Sequence, residues 1–161
     1  MRPNIIDIEA SGFGPDSYPI EVGFVLGDGQ KYCTLISPLD EWVHWDEQAE
    51  QVHGISRRTL ATHGEPAAQV AAELNRLLQG RTVYSDYWSV DQSWLNTLFY
   101  ATRMMMGFHL SSIELIMSES QIEDWQSKRD AVLAEHGGNR HRASYDAWVI
   151  QETFARSCSV R

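Results

Sequence analysis

The chain has 161 residues, 43% of them hydrophobic and 22% charged, a formal net charge of −9 and two cysteines. These figures exclude a disordered tail, a disulfide scaffold and a protein that grips long nucleic acid through many lysine and arginine contacts to phosphate. They suit one domain, residues 1–161, with a substantial core; with no charged leader and no apolar run near the ~20 residues of a membrane helix, a cytoplasmic protein without a membrane partner is expected.

Residues 4–12 read as a first strand in which Asp7 and Glu9, two positions apart, point to the same face. Paired acids in an apolar strand are costly unless a cation joins them, although the pattern also fits a solvated strand end. Residues 12–16 are dense in turn formers. Residues 19–26 and 31–36 read as two further strands joined by Gly27-Asp28-Gly29-Gln30, so the chain opens with an antiparallel meander. Residues 37–63 show no sustained period and read as a loop-rich segment, with Trp42 and Trp45 as packing residues and His44 on the surface.

Glu65-Pro66 opens a helix whose core face is Val70, Ala71, Leu74, Leu77 and Leu78 and which Gly80 ends. Residues 81–85 form a fourth strand and residues 91–106 a helix, with Met104, Met105 and Met106 filling core. Residues 112–116 read as a short fifth strand or as helix. Residues 119–135 form a polar, partly amphipathic helix closed by Gly137-Gly138, and residues 143–156 a last helix with Ala147, Ile150 and Phe154 at helical spacing. Cys33 and Cys158 read as reduced thiols, one in a strand and one in the tail. Three antiparallel strands followed by strand–helix units make an α/β protein with one mixed sheet and helices packed on it.

Three further positions matter. Asp91 lies just past the fourth strand; taken alone it reads as an acid opening a helix, yet a fourth strand beside the first would bring it to face Asp7 and Glu9. His141 and Asp146 are five residues apart, ~140° around a helix, and share a site only if His141 precedes the helix. The breaker at residues 137–139 allows that.

These spacings together resemble the DEDDh 3′ to 5′ exonucleases, the group that includes ribonuclease T, oligoribonuclease and the proofreading subunit of bacterial replicative polymerase. Asp7-Ile8-Glu9-Ala10-Ser11-Gly12 is similar to the first motif, Asp91 with Trp94-Leu95 to the second, and His141-x-Ala143-x-x-Asp146 to the third. Val52-His53-Gly54-Ile55-Ser56 resembles the family's segment between the first two. Two departures stand out: Ala10 replaces a common hydroxyl residue, and Asp86-Tyr87 replaces the usual His-Asn. Neither removes a metal ligand; both bear on selectivity.

The resemblance implies a ribonuclease H-like mixed sheet of five strands and a single exonuclease domain. It implies Asp7, Glu9, Asp91 and Asp146 as ligands of two Mg²⁺ or Mn²⁺ ions, hard cations suited to oxygen donors. Two divalent ions would bring the charge of −9 to about −5 and make the site a phosphate receptor. His141 would be the general base, a role suited to histidine. Phe13 would stack on a terminal base, Ala10, Ser11, Val52 and His53 would line the nucleotide pocket, and Arg140 and Arg142 would receive phosphate. The implied partners are 3′ ends of single-stranded RNA or DNA, or short oligonucleotides, with nucleoside 5′-monophosphates as products, and the implied assembly is a homodimer. The alternatives are a catalytically silent binding module and a hydrolase of short oligonucleotides or small phosphodiesters.

Overall fold

The computed structural model describes residues 2–138 and 141–158. Its centre is β1 (Ile5–Ala10), paired antiparallel with β2 (Pro19–Val25), which pairs antiparallel with β3 (Lys31–Ser37). After β3 come α1 (Glu47–His53), α2 (Arg57–His63), β4 (Glu65–Pro66) and α3 (Ala67–Leu78). Then follow β5 (Thr82–Ser85), α4 (Trp88–Ala101), β6 (His109–Ser112), α5 (Glu119–His136) and α6 (Ala143–Ser157). The sheet runs β4-β3-β2-β1-β5-β6, and β5 lies parallel to both β1 and β6.

Side-chain alternation along the central strands sends residues to two faces. Ile6 and Ile8 of β1 and Val22 and Phe24 of β2 join Val70, Ala71, Leu74 and Leu78 of α3 and Leu95, Leu98 and Phe99 of α4 in the larger core. Ile5 and Val25 meet Ala147, Ile150 and Phe154 of α6 on the other face. Every residue of β2 is buried, as expected of a strand covered on both sides.

The mixed sheet is the one expected, with three local differences. Instead of residues 112–116, the strand beside β5 is His109–Ser112, set by the register Thr82↔His109 to Ser85↔Ser112, and Ile113–Ile116 is a turn of 3₁₀ helix. A two-residue strand, β4, adds a sixth member against the end of β3; its proline is tolerated because it lies on the sheet edge. Within residues 37–63 stand two seven-residue helices, too short to show a period. They are defined by their caps: Asp46 accepts the Gln48 amide, Ser56 accepts the Thr59 amide, and Gly54 closes α1 at φ 70°.

Trp42 stacks on Tyr18 at 5.2 Å, and Trp45 packs with Ile20, Ile55 and Leu60, so both tryptophans serve packing. His44 is half-buried and not a free surface residue: its ring lies against Gly12, where a side chain would collide with it, and its Nδ1 is buried. Met104 and Met106 pack on the core, but Met105 faces solvent. Both cysteines are free thiols. No helix among the described residues is long and apolar enough to cross a membrane.

Candidate active site at the carboxyl end of the central strand

Asp7 and Glu9 alternate with Ile8 and so face α6, opposite to the larger core. In register, Asp7 faces Gly23 and Glu9 faces Glu21 on β2. Gly23 is required there: a Cβ would strike the backbone of Ala143 and Ser144, so its absence lets the first turn of α6 rest on the sheet. That contact delivers Asp146 from the first turn of α6, and His141 stands just before the helix in a left-handed conformation at φ 63°. One ligand atom each of Glu9, His141 and Asp146 lies within 4.8 Å of the other two. The histidine is thus as close to both acids as a metal ligand would be, where the resemblance gave it only the role of base.

Asp91 is buried in the first turn of α4, immediately after β5. The Ser85 hydroxyl donates to its carboxylate and accepts the Tyr87 amide at 2.9 Å. Because β5 runs parallel to β1, Asp91 comes to the same end of the sheet as Asp7. Asp86 stands nearby, bridged at 2.6 Å to Arg129 of α5.

The electrostatics bind these acids into one site. Burial raises Asp7 well above the usual carboxylate range, and Asp91, Glu9, Asp146 and Asp86 add to the rise. Glu9 is pushed up to about 8 by burial and then by Asp146, Glu21 and Asp91, with Arg142 opposing. Asp91 is pushed up to about 7 by burial, against the bond from Ser85. Asp146 is raised by burial and lowered in part by His141 and Arg129. Carboxylates crowded in this way favour a divalent cation, whose charge would offset every one of these shifts. The donor set, oxygen from four acids with one imidazole at its edge, fits Mg²⁺ or Mn²⁺.

Of the residues expected to touch substrate, Phe13 is 66% exposed on the loop leaving β1, and Val52 is exposed at the end of α1. His53 is buried, with Nδ1 accepting the Ile55 amide at 3.0 Å. Burial lowers its pKa, while Ala10, Glu50 and Glu21 oppose the shift and His141 adds to it. Three further placements bear on the expected contacts. Ser11 is wholly buried, its hydroxyl accepting the Tyr18 amide at 3.1 Å, so it ties the loop together and offers no surface to a nucleotide. Ala10 is buried as well. Arg142 is already paired, its guanidinium donating to Glu21 through Nε at 3.0 and 3.1 Å and Nη2 at 2.7 Å, although the side chain stays 41% exposed. Arg140 lies outside the described residues.

Sequence reasoning did not single out Glu21, Ser85 or the Asp86–Arg129 bridge. Glu21 carries a visible signal, being the one charge in the apolar run Pro19-Ile20-Glu21-Val22-Gly23-Phe24, where an acid needs a partner. Ser85 carries none.

No family model and no curated protein matches the chain. Its fold is similar to that of E. coli exonuclease I in complex with a dA16 oligonucleotide, with a TM-score of 0.71 at 14% identity over 95% of this chain and 39% of that one. The complex of the same protein with a dT13 oligonucleotide gives 0.67 at 14% identity, covering 95% and 40%. The zinc-bound form of an E. coli exonuclease I–ssDNA complex gives 0.67 at 13%, covering 96% and 39%. The chain therefore spans about two fifths of the length of these structures, and it shares their ribonuclease H-like mixed α/β fold.

Proposed function

We propose that residues 1–161 form a metal-dependent 3′ to 5′ exonuclease domain that releases nucleoside 5′-monophosphates from single-stranded ends. One observation carries the reading: Glu9, His141 and Asp146 bring ligand atoms within 4.8 Å of one another, and Asp7 and Asp91 lie near enough to join the same acidic group through charge. The similarity in fold to exonuclease I, whose complexes hold single-stranded deoxyoligonucleotides, supports this reading and makes DNA ends the first substrate to try.

Asp7, Glu9, Asp91 and Asp146 would hold the metal. When bound, two divalent ions supply Lewis acidity and charge stabilisation for an in-line displacement at phosphorus. Glu9 and Asp146 orient the site from opposite elements, β1 and α6. Ser85 keeps the Asp91 carboxylate fixed. His141, beside both acids, takes the proton of the attacking water at a ring nitrogen. Phe13 stacks on the terminal base, a contact worth ~1–3 kcal/mol and tolerant of sequence, while Val52 and His53 wall the nucleotide.

A net charge of −9 favours short oligonucleotides over long strands, because little basic surface is available to track a phosphate backbone. The test is incubation of 5′-labelled single-stranded DNA and RNA of graded length with Mg²⁺, Mn²⁺ or EDTA, alongside Asp7→Ala. A metal-dependent ladder receding from the 3′ end, lost in the variant, is the expected result. Protein that binds Mn²⁺ yet leaves every length intact would instead be a binding module.

A further inference from the structure

We propose that Glu21 and Arg142 form a clamp that positions His141, so that Glu21 is a positioning residue for the reaction although it touches neither metal nor substrate. The inference rests on the exonuclease reading for its kinetic consequence and on geometry for the rest.

The Glu21 side chain is only 1% exposed, and a carboxylate so placed persists only when charge and hydrogen bonds compensate it. Its compensation comes from two consecutive residues on the far side of the chain. Arg142 donates through Nε and Nη2 to both carboxylate oxygens, the planar fork that lysine cannot reproduce. The Ala143 amide donates at 2.9 Å. Ala143 is the first residue of α6, whose own N-cap residue, Arg142, makes no side-chain cap, so Glu21 caps the helix from β2 and meets one of its free amides.

His141 immediately precedes this pair and holds φ at 63°, a conformation that a residue with a side chain keeps only where its surroundings over-determine it. Those surroundings are the clamp on one side and the close seat of α6 over Gly23 beneath it. Asp146 lies further into the helix, where Ala147, Ile150 and Phe154 anchor it to the sheet. Loosening the clamp therefore frees His141 first and leaves the carboxylates in place. A misplacement of ~1 Å at a reacting group can cost about 10²-fold in rate.

The test uses the full chain as wild type, Glu21→Gln, Glu21→Asp and Arg142→Lys. Turnover and KM are measured on a 5′-labelled dT oligonucleotide at saturating Mn²⁺, Mn²⁺ binding by calorimetry, and hydrogen exchange at the Ala143 amide in metal-free protein. Glu21→Gln is expected to lower kcat by about 100-fold with KM and Mn²⁺ binding retained and Ala143 exchange accelerated. Arg142→Lys, which keeps the charge and loses the fork, falls between it and wild type, and Glu21→Asp recovers part of kcat. Unchanged kcat or unchanged exchange in Glu21→Gln overturns the clamp, as does a loss of kcat that comes with loss of Mn²⁺ binding and of thermal stability. Should Glu21→Gln fail to fold, Arg142→Lys is judged by the same criteria. If wild-type protein degrades no substrate, the exonuclease reading fails, and exchange at Ala143 alone decides whether the clamp exists.

Discussion

The two faces of the sheet obey different rules. On one, Ile6, Ile8, Val22 and Phe24 meet α3 and α4 and the contact is hydrocarbon throughout. On the other, Ile5 and Val25 meet α6 for only part of its length, after which Asp7, Glu9 and Glu21 take over. Burial of apolar area holds the first face whatever the solution contains. The second is held partly by charge, so it should respond to pH, to divalent ions and to single changes in hydrogen bonding. Core and candidate site thus sit back to back on the same two strands.

The largest effect expected from breaking this division is at His141. His141→Ala should lower kcat by about 10²–10⁴-fold with the melting temperature unchanged, read by oligonucleotide degradation and circular dichroism. Leu74→Ala, on the hydrocarbon face, should do the reverse, losing about 2–5 kcal/mol in a urea titration while the folded fraction keeps its rate. A variant at either position that moved both quantities would dissolve the distinction.

The pH response comes next. Glu9 is raised from 4.5 to about 8 and Asp91 from 3.8 to about 7 in the fold. Between those limits the folded protein binds more protons than the unfolded chain, so these groups favour folding at the acid end and that contribution is lost as pH rises through about 7 and 8. Metal-free protein should therefore melt at a lower temperature at pH 8.5 than at pH 6 (~2.5 pH units apart, spanning both groups). Saturating Mn²⁺, or Glu9→Gln, should flatten the slope. A melting temperature that rises over the interval would show that the acids are not crowded as described. The smallest change is far from both faces: Ser118 and Gln121 form a reciprocal capping box at the start of α5, and Ser118→Ala should cost about 1 kcal/mol with no effect on turnover.

What was legible in the sequence follows from the same physics. β1 and β2 announce themselves by apolar runs of high strand propensity, and α6 by Ala147, Ile150 and Phe154 at helical spacing. Asp7 and Glu9 could be singled out as paired acids in an apolar strand, and Asp91, His141 and Asp146 through spacings that resemble the DEDDh motifs. The helices at Glu47–His53 and Arg57–His63 could not, since seven residues hold barely two turns and their evidence lies in caps and tertiary contacts. The two-residue strand β4 exists only because β3 offers it an edge. The pairing of Arg142 was hidden for a different reason. Charge alone does not tell a solvated arginine from one claimed by a buried acid, and its claimant lies 121 residues away in sequence.

That separation sets an order of events in folding. Contacts between β1, β2 and α3 close over shorter stretches of chain than the docking of α6, and loop closure over longer stretches is slower and comes later. The larger core can assemble before residue 142 reaches Glu21. A chain folded only that far would hold Asp7, Glu9 and Asp91 without His141 or Asp146 above them. Undocking of α6 from its glycine seat would part His141 and Asp146 from Asp7 and Glu9, so the candidate site is complete only while that one helix is in place.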